Sequence, residues 1–375
     1  MKIGFDAKRA FQNYTGLGNY SRDLLRNLLE LHPENEYLLY TPRITQNPSL
    51  KFLQSHANVN LITPQTQLDK TFKSLWRSVN LEKTLEKDQI EIFHGLSNEI
   101  PRRGHDNNIK YVVTIHDLIF KRYPRNYKAI DRRIYNTKFK YACKNADRII
   151  AISEQTKKDI IEFYEVDPNK IDILYQTCHK NFKKVYSDEV KEHIKVKYEL
   201  PDKYILNVGT IETRKNLFGI LQATEFMEND LPIVVVGRKT KYYNFLKVQM
   251  QKMKIDPERI IFLKNVSIEE LPSIYQMASV FVYPSFFEGF GIPLIEALHS
   301  NLPTVTTKGC CFDEAAGPDS IYIDPNNPEE IAKAIDLILN DKVLADNMRK
   351  KGKEYVKIFE PEILTQQLLE IYNKL

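Results

Sequence analysis

Apolar runs of strand length alternate with amphipathic stretches of helix length along this chain, and the alternation stops once and starts again. Strands of a parallel sheet are covered on both faces, so they read as continuous apolar runs. Such runs lie at 2–5, 37–40, 59–62, 90–93, 111–115, 148–152 and 171–175. A polar, lysine-rich passage follows near 180–200, and the pattern resumes at 204–208, 233–236, 260–263, 280–283, 303–306 and 321–323. Helical patterns such as Leu17–Leu31, Asn216–Met227 and Ile268–Ala278 lie between them, the last opened by a capping box of Ser267 and Glu270. Alternation of this kind gives a parallel sheet with helices on both faces. The restart gives two of them, which suits a chain of 375 residues. The sequence predicts an α/β fold of two Rossmann-like, doubly wound domains, 1–185 and 186–358. The tail beyond Asp341 is helical with a break at Phe359-Glu360-Pro361, and a last helix of about 360–375 is expected to pack back on the first domain.

Several function classes fall away at once. No run approaches the roughly 18 apolar residues of a membrane span. Met1-Lys2-Ile3-Gly4-Phe5-Asp6 turns polar too soon for a signal peptide. Cys143, Cys178, Cys310 and Cys311 show neither metal-ligand spacing nor a disulfide framework, so a reducing, cytoplasmic setting is expected. The sequons at Asn13 and Asn265 then go unused. The net charge of +5 is uneven: residues 1–180 hold 29 Lys/Arg against 21 Asp/Glu, the remainder 25 against 28. The excess concentrates between Lys121 and Arg148, where ten basic residues meet two acidic ones among Tyr123, Tyr127, Tyr135, Phe139 and Tyr141. This stretch reads either as a solvated helix face or as a surface for an anionic membrane or phosphate-bearing lipid. No nucleic-acid-binding motif accompanies it, so nucleic acid is not an expected partner.

Ligands of open parallel sheets sit beyond the carboxyl ends of the strands. Gly16 and Gly18 follow the run 2–5, His116 and Asp117 follow 111–115, Arg214 and Lys215 follow 204–208, and Glu288 to Gly291 follow 280–283. Clusters at strand ends in both halves predict one cleft between the domains. Arg214 offers a fork of donors and Lys215 a mobile point charge at a helix start, the chemistry a diphosphate needs. Glu288 and Glu296 lie in an apolar context where carboxylates require partners, and sugar hydroxyls are natural ones. The intervening glycines let a ligand approach the backbone. The Gly16–Gly18 turn lacks the third glycine of a dinucleotide fingerprint, so it reads as a glycine loop lining the cleft. His94 shares the strand-end placement of His116 in weaker company. Phe72, Leu75, Trp76 and Val79 have helical spacing and read first as a core stripe, otherwise as an acceptor or membrane contact. With no Asp-x-Asp, a metal bridging the diphosphate is not expected, and Arg214 and Lys215 take its place.

Four motifs carry a family resemblance. They are Gly4 to Arg9 with Thr15 to Tyr20, Thr114-Ile115-His116-Asp117-Leu118, Val208 to Asn216, and Glu288 to Glu296 with seven residues between the two acids. Together they resemble the family 4 retaining glycosyltransferases of GT-B fold, in particular bacterial mannosyltransferase-like members, over nearly the whole chain. The resemblance implies that Glu288 holds the donor sugar hydroxyls and Glu296 the ribose. It implies that Phe290 and Gly291 present backbone amides near the sugar and diphosphate, and that Arg214 and Lys215 neutralise the leaving diphosphate. His116 would face the donor sugar from the N-terminal, acceptor domain, and Gly16 and Gly18 would close over the diphosphate. The chain departs from the family at Tyr175-Gln176-Thr177-Cys178-His179, where an Asn-x-Gly-x-Asp turn is usual.

The expected activity is transfer of a hexose, mannose favoured, from a nucleotide diphosphate sugar to a lipid-linked or polysaccharide acceptor in surface glycan or lipopolysaccharide assembly. The enzyme would be cytoplasmic, peripheral on the inner face of the membrane. A GT-B epimerase or a non-catalytic, nucleotide-sugar-binding partner subunit are the alternatives. A GT-B phosphorylase would require a much longer chain.

Overall fold

The computed structural model describes residues 1–104 and 107–375. Among the described residues thirteen strands form two wholly parallel sheets. The first holds β1 (Lys2–Asp6), β2 (Glu36–Tyr40), β3 (Val59–Ile62), β4 (Ile92–Gly95), β5 (Lys110–Ile115), β6 (Arg148–Ala151) and β7 (Ile171–Ile173), in the order β3-β2-β1-β4-β5-β6-β7. The second holds β8 (Ile205–Val208), β9 (Ile233–Val236), β10 (Ile260–Leu263), β11 (Val280–Tyr283), β12 (Thr304–Thr307) and β13 (Ile321–Ile323), in the order β10-β9-β8-β11-β12-β13. Every apolar run of the sequence is a strand, with its ends within two residues of expectation. Each sheet reverses its strand order once, between β1 and β4 and between β8 and β11. That reversal opens the crevice where doubly wound sheets hold ligands.

The chain divides into two compact units, Met1–Thr177 with Glu360–Leu375, and Cys178–Phe359. The division falls earlier than residue 185 because the passage after Thr177 is bonded into the second unit. Asn181 donates to the Ile268 carbonyl at 3.4 Å, the Phe182 ring meets Tyr275 edge-on at 5.3 Å, and the Tyr186 N–H donates to Gln276 at 3.2 Å. The last helix, Pro361–Asn373, packs on the helix Gly16–Leu31. Its Leu364, Leu368, Leu369, Ile371 and Tyr372 share one core with Ile3, Phe5, Leu25 and Leu28.

Two helices are shorter than their sequence patterns. The pattern from Asn216 yields Leu217–Ala223, since Asn216 is left-handed (φ 53°) and the helix starts after it. The pattern from Ile268 yields Leu271–Met277, preceded by Glu270 reaching back to the Ser267 N–H at 3.2 Å, which is one arm of the capping box. No helix among the described residues is long and apolar enough to cross a membrane.

Candidate functional site

In the second unit the site is built where β8 lies against β11, with Ile205 opposite Val280 and Leu206 opposite Phe281. This pairing brings the loops after the two strands together. The Phe286 N–H donates to the Arg214 carbonyl at 2.9 Å, and Arg214 Nη1 donates to the Phe287 carbonyl at 2.5 Å. Glu288 then receives both cations on one oxygen: Arg214 Nη1 and Lys215 Nζ each lie 2.6 Å from Oε1. The Tyr283 hydroxyl donates to the same oxygen at 3.2 Å and accepts from Lys215 Nζ at 2.5 Å. Arg214 Nη2 also donates to Glu212 at 2.6 Å. Burial would raise the Glu288 carboxyl, but the attraction of Lys215 and Arg214 outweighs it and holds the pKa at about 2. Glu288 is therefore a fixed anion, and the two cations expected to serve a diphosphate form one network with the acid expected to serve a sugar.

The helix Ile292–His299 starts beside this network. Its N-cap, Gly291, has φ +109° and lends no side-chain cap; Pro293 has no N–H and the Leu294 N–H donates to the Gly291 carbonyl at 2.9 Å, so what this helix start offers an anion is chiefly the positive end of its dipole. A Cβ at Gly291 would be strained by that φ and would lie 3.1 Å from Leu294 Cδ1. Phe290 is buried with its ring edge-on to Phe359 at 5.7 Å, which fixes the backbone ahead of the helix. The second helix start proposed from sequence differs: the Asn216 side chain accepts from the Gly219 N–H at 3.1 Å, capping its own helix. Of the two helix starts, the one after Gly291 lacks a side-chain cap and the one after Lys215 has one.

Glu296 lies one helical turn further on and has the opposite electrostatic state. The Tyr275 hydroxyl donates to it at 3.0 Å, and the surrounding protein desolvates it enough to push its pKa up to about 7. Cys310 and Cys311, at the end of the neighbouring β12, both direct their sulfurs at the Glu288 carbonyl, Cys311 at 3.3 Å. These cysteines, Tyr283, Tyr275 and Glu212 were not among the site residues expected from sequence. The signal for the cysteines was their position just past a strand end.

The N-terminal unit places its expected site residues differently. His116 is buried, with Nε2 donating to the Leu96 carbonyl at 2.9 Å and Nδ1 accepting from Gln176 at 3.1 Å. Burial lowers its pKa to about 4, so the ring is neutral near pH 7. Gln176 belongs to the segment where the chain departs from the family pattern, and it holds this ring. His94 is buried between the Tyr372 hydroxyl at 2.6 Å and Thr114 Oγ1 at 2.8 Å, and Thr114 meets the Tyr20 hydroxyl at 3.0 Å. Gly16 and Gly18 are not a loop but the first turn of the helix Gly16–Leu31. A Cβ at Gly18 would lie 1.9 Å from the Asn13 carbonyl oxygen, so packing alone requires that glycine. A Cβ at Gly16 would meet nothing within 4 Å. The basic stretch is not one surface either. Arg122 pairs with Asp159 and Glu162, Arg148 lies 3.6 Å from Asp172, and Lys121 sits over the Phe163 ring. Between them, Arg125 and Lys128 precede the helix Ala129–Asn145, and Arg132, Arg133, Lys138, Lys140 and Lys144 lie on it.

Comparison with known proteins covers both units. Residues 14–177 match the family model described as Glycosyltransferase Family 4, and residues 189–355 match that of Glycosyl transferases group 1. O-antigen chain mannosyltransferase B of Escherichia coli is 26% identical, with 100% of each chain covered. The O-antigen chain mannosyltransferase RfbU of Salmonella typhimurium is 28% identical over 60% of this chain and 59% of its own. Among solved structures, Anabaena HepE in complex with UDP-glucose superposes with a TM-score of 0.76 at 16% identity, covering 100% of each chain. At that identity the likeness shows the fold.

Proposed function

The chain belongs to glycosyltransferase family 4 and has its GT-B fold, and from that premise we propose that it moves a hexose, mannose favoured, from a nucleotide diphosphate sugar to a lipid-linked or polysaccharide acceptor in surface glycan assembly. The observation that carries this reading is the Glu288 carboxylate held by Arg214 and Lys215 beside the uncapped helix after Gly291. Such a site suits a ligand with a diphosphate and a hydroxyl-rich ring joined together. The mannosyltransferase names of the full-length and partial relatives favour mannose as the sugar moved, and the donor we propose is GDP-mannose.

In this reading Arg214, Lys215 and the helix terminus stabilise the diphosphate as it departs, which is the main electrostatic task of the step. Glu288 orients the sugar hydroxyls, Phe290 and Gly291 offer backbone amides, and Glu296 accepts from the ribose. We expect no metal requirement, Arg214 and Lys215 taking the part of a metal at the diphosphate. The reaction retains configuration: the anomeric carbon–diphosphate bond breaks, the acceptor oxygen bonds from the same face, and the acceptor proton passes to the departing phosphate oxygen. Glu288 is an unsuitable covalent nucleophile, since both cations hold its charge. We assign His116, neutral and held at both nitrogens, no part as a proton shuttle. We place the enzyme in the cytoplasm, peripheral to the inner membrane face, with the cations of the helix Ala129–Asn145 toward anionic lipid. That contact weakens at high salt.

The test is a thermal shift series against nucleotides and nucleotide sugars, followed by transfer assays with the donor that binds. Stabilisation by GDP and GDP-mannose above their uridine counterparts is expected. Failure of every nucleotide sugar to bind would end the reading. Conversion of the bound donor without an acceptor would replace it with the epimerase alternative.

A further inference from the structure

A groove of about 950 Å³ opens in the N-terminal unit between Thr71–Val79 and the helix Ala129–Asn145. One wall carries Phe72, Leu75 and Val79, which are 58%, 52% and 41% exposed. Of the stripe read as core in the sequence, only Trp76 enters the core. The outward display is imposed by the local fold. Trp76–Asn80 is a π-helical turn, a form rare in proteins and frequent at functional sites. Its Trp76 is buried, and its Arg77 is tied down by Asp6 at 2.7 Å and Glu99 at 2.8 Å. With those two side chains anchored inward, Phe72, Leu75 and Val79 are held facing out.

The opposite wall is the face of the helix that carries Lys138 and Tyr141, and this face continues through Ile134 and Ile130, 48% and 71% exposed. Single exposed apolar residues need no explanation, but contiguous ones bordering a cavity mark a binding surface. Lys73 and Arg102 also line the groove, and neither side chain has an ion pair among the described residues. Apolar walls with unpaired cations complement a hydrocarbon chain that ends in an anion. The volume lies in the range that holds a ligand of small-molecule size.

We propose that this groove binds a lipid phosphate, its hydrocarbon chain against Phe72, Leu75 and Val79 and its phosphate on Lys73 and Arg102. The assignment deepens the lipid-linked acceptor reading and rests on it for biological sense, while the binding itself is independent of the donor unit.

The experiment titrates the full chain with dodecyl phosphate below its micelle concentration, following calorimetric heat and the emission of Trp76, the single tryptophan of the chain. Saturable one-to-one binding is expected. The Phe72→Ser/Leu75→Ser double variant and Arg102→Ser should each weaken it tenfold or more, with melting temperature and nucleotide-sugar affinity unchanged. All three positions are exposed, so the variants are expected to fold; Val79→Ser serves should the double variant not. Equal binding of inorganic phosphate, equal binding of dodecyl maltoside, or unchanged binding in the variants would overturn the proposal. So would self-association abolished by Leu75→Ser without lipid binding, which assigns the groove to a second copy of the chain. If dodecyl phosphate binds while every nucleotide sugar fails, the groove stands and the transferase reading falls; the converse result removes the groove alone.

Discussion

The two sheets reverse their order at equivalent places and use the position in opposite ways. Around the β1–β4 reversal, where Asp6, Arg77 and Glu99 pair among themselves, the strand-end side chains expected to face a ligand are neutral and satisfied within their unit: His94 between Tyr372 and Thr114, and His116 between Leu96 and Gln176. Around the β8–β11 reversal they are charged, with Arg214, Lys215 and Glu288 locked in one network. A neutral network tolerates complete burial once each donor and acceptor is matched. A charged one is costly to bury unless its charges are paired. The same topology thus supplies a structural keystone in one unit and an electrostatic site in the other.

The contrast is broken most severely at Glu288. Glu288→Gln keeps the shape and removes the anion, and is expected to lower turnover by about 10²–10³ with donor affinity changed only a fewfold, if its interaction strengthens in the transition state as such electrostatic groups do. Steady-state kinetics beside calorimetric donor binding decide it; equal losses in both, or none, remove the assigned role. Arg214→Ala comes next. Loss of a charge-assisted hydrogen bond costs about 1.5–3 kcal/mol, so donor affinity should fall roughly tenfold or more. Unchanged binding in calorimetry would show that the diphosphate lies elsewhere.

On the neutral side, Tyr372→Phe leaves His94 Nδ1 buried without its hydroxyl, at a cost of about 1–3 kcal/mol. Denaturant unfolding should register that loss while nucleotide affinity stays level. A matching loss of nucleotide affinity would dissolve the distinction between the two regions.

The two glutamates sharpen the comparison through pH. Glu296 keeps its proton in the folded chain up to about 7, against an ordinary value of 4.5. Its contribution to stability is whole below 4.5 and lost as pH rises to 7. Glu288 has the reverse sign: its contribution is present above 4.5 and lost as pH falls toward 2. If ribose hydroxyls require the Glu296 carboxylate, nucleotide affinity should fall by at most about tenfold per pH unit below 7. Glu296→Gln should flatten that dependence, whereas His116→Gln should leave it, since His116 titrates near 4. Persistence of the limb in Glu296→Gln would reassign it. The smallest effect is expected at Gly16→Ala, where open space and a helical position predict stability within about 1 kcal/mol of the parent. A loss of turnover there without a loss of stability would give Gly16 a ligand.

Much of this was legible because buried parallel strands leave contiguous apolar runs, and because ligand-facing residues follow those runs directly. The Glu288–Glu296 segment and the Arg214-Lys215 pair were each visible alone. Their union was not, because it depends on β8 lying beside β11, and local sequence does not state strand order. The His94 network draws on Tyr20, Thr114 and Tyr372 from three distant segments, with no periodicity to betray it. The stripe Phe72 to Val79 misled because helical spacing reports a shared face and not the direction that face takes; the π-helical turn and the Arg77 anchor decide that. The uniform basic stretch hid the carboxylates of Asp159, Glu162 and Asp172, which lie outside it and silence its two ends.

The helix Pro361–Asn373 closes the core that Ile3 and Phe5 begin. On the ribosome this separates the halves of that core in time, because all of Cys178–Phe359 must be translated between them. At about 5–20 residues per second the opening strand waits roughly twenty to seventy seconds for its cover. The second unit, continuous in the nascent chain, is free to close in the meantime. A premature stop between Pro361 and Asn373 would therefore spare the second unit and leave unfinished the one begun first.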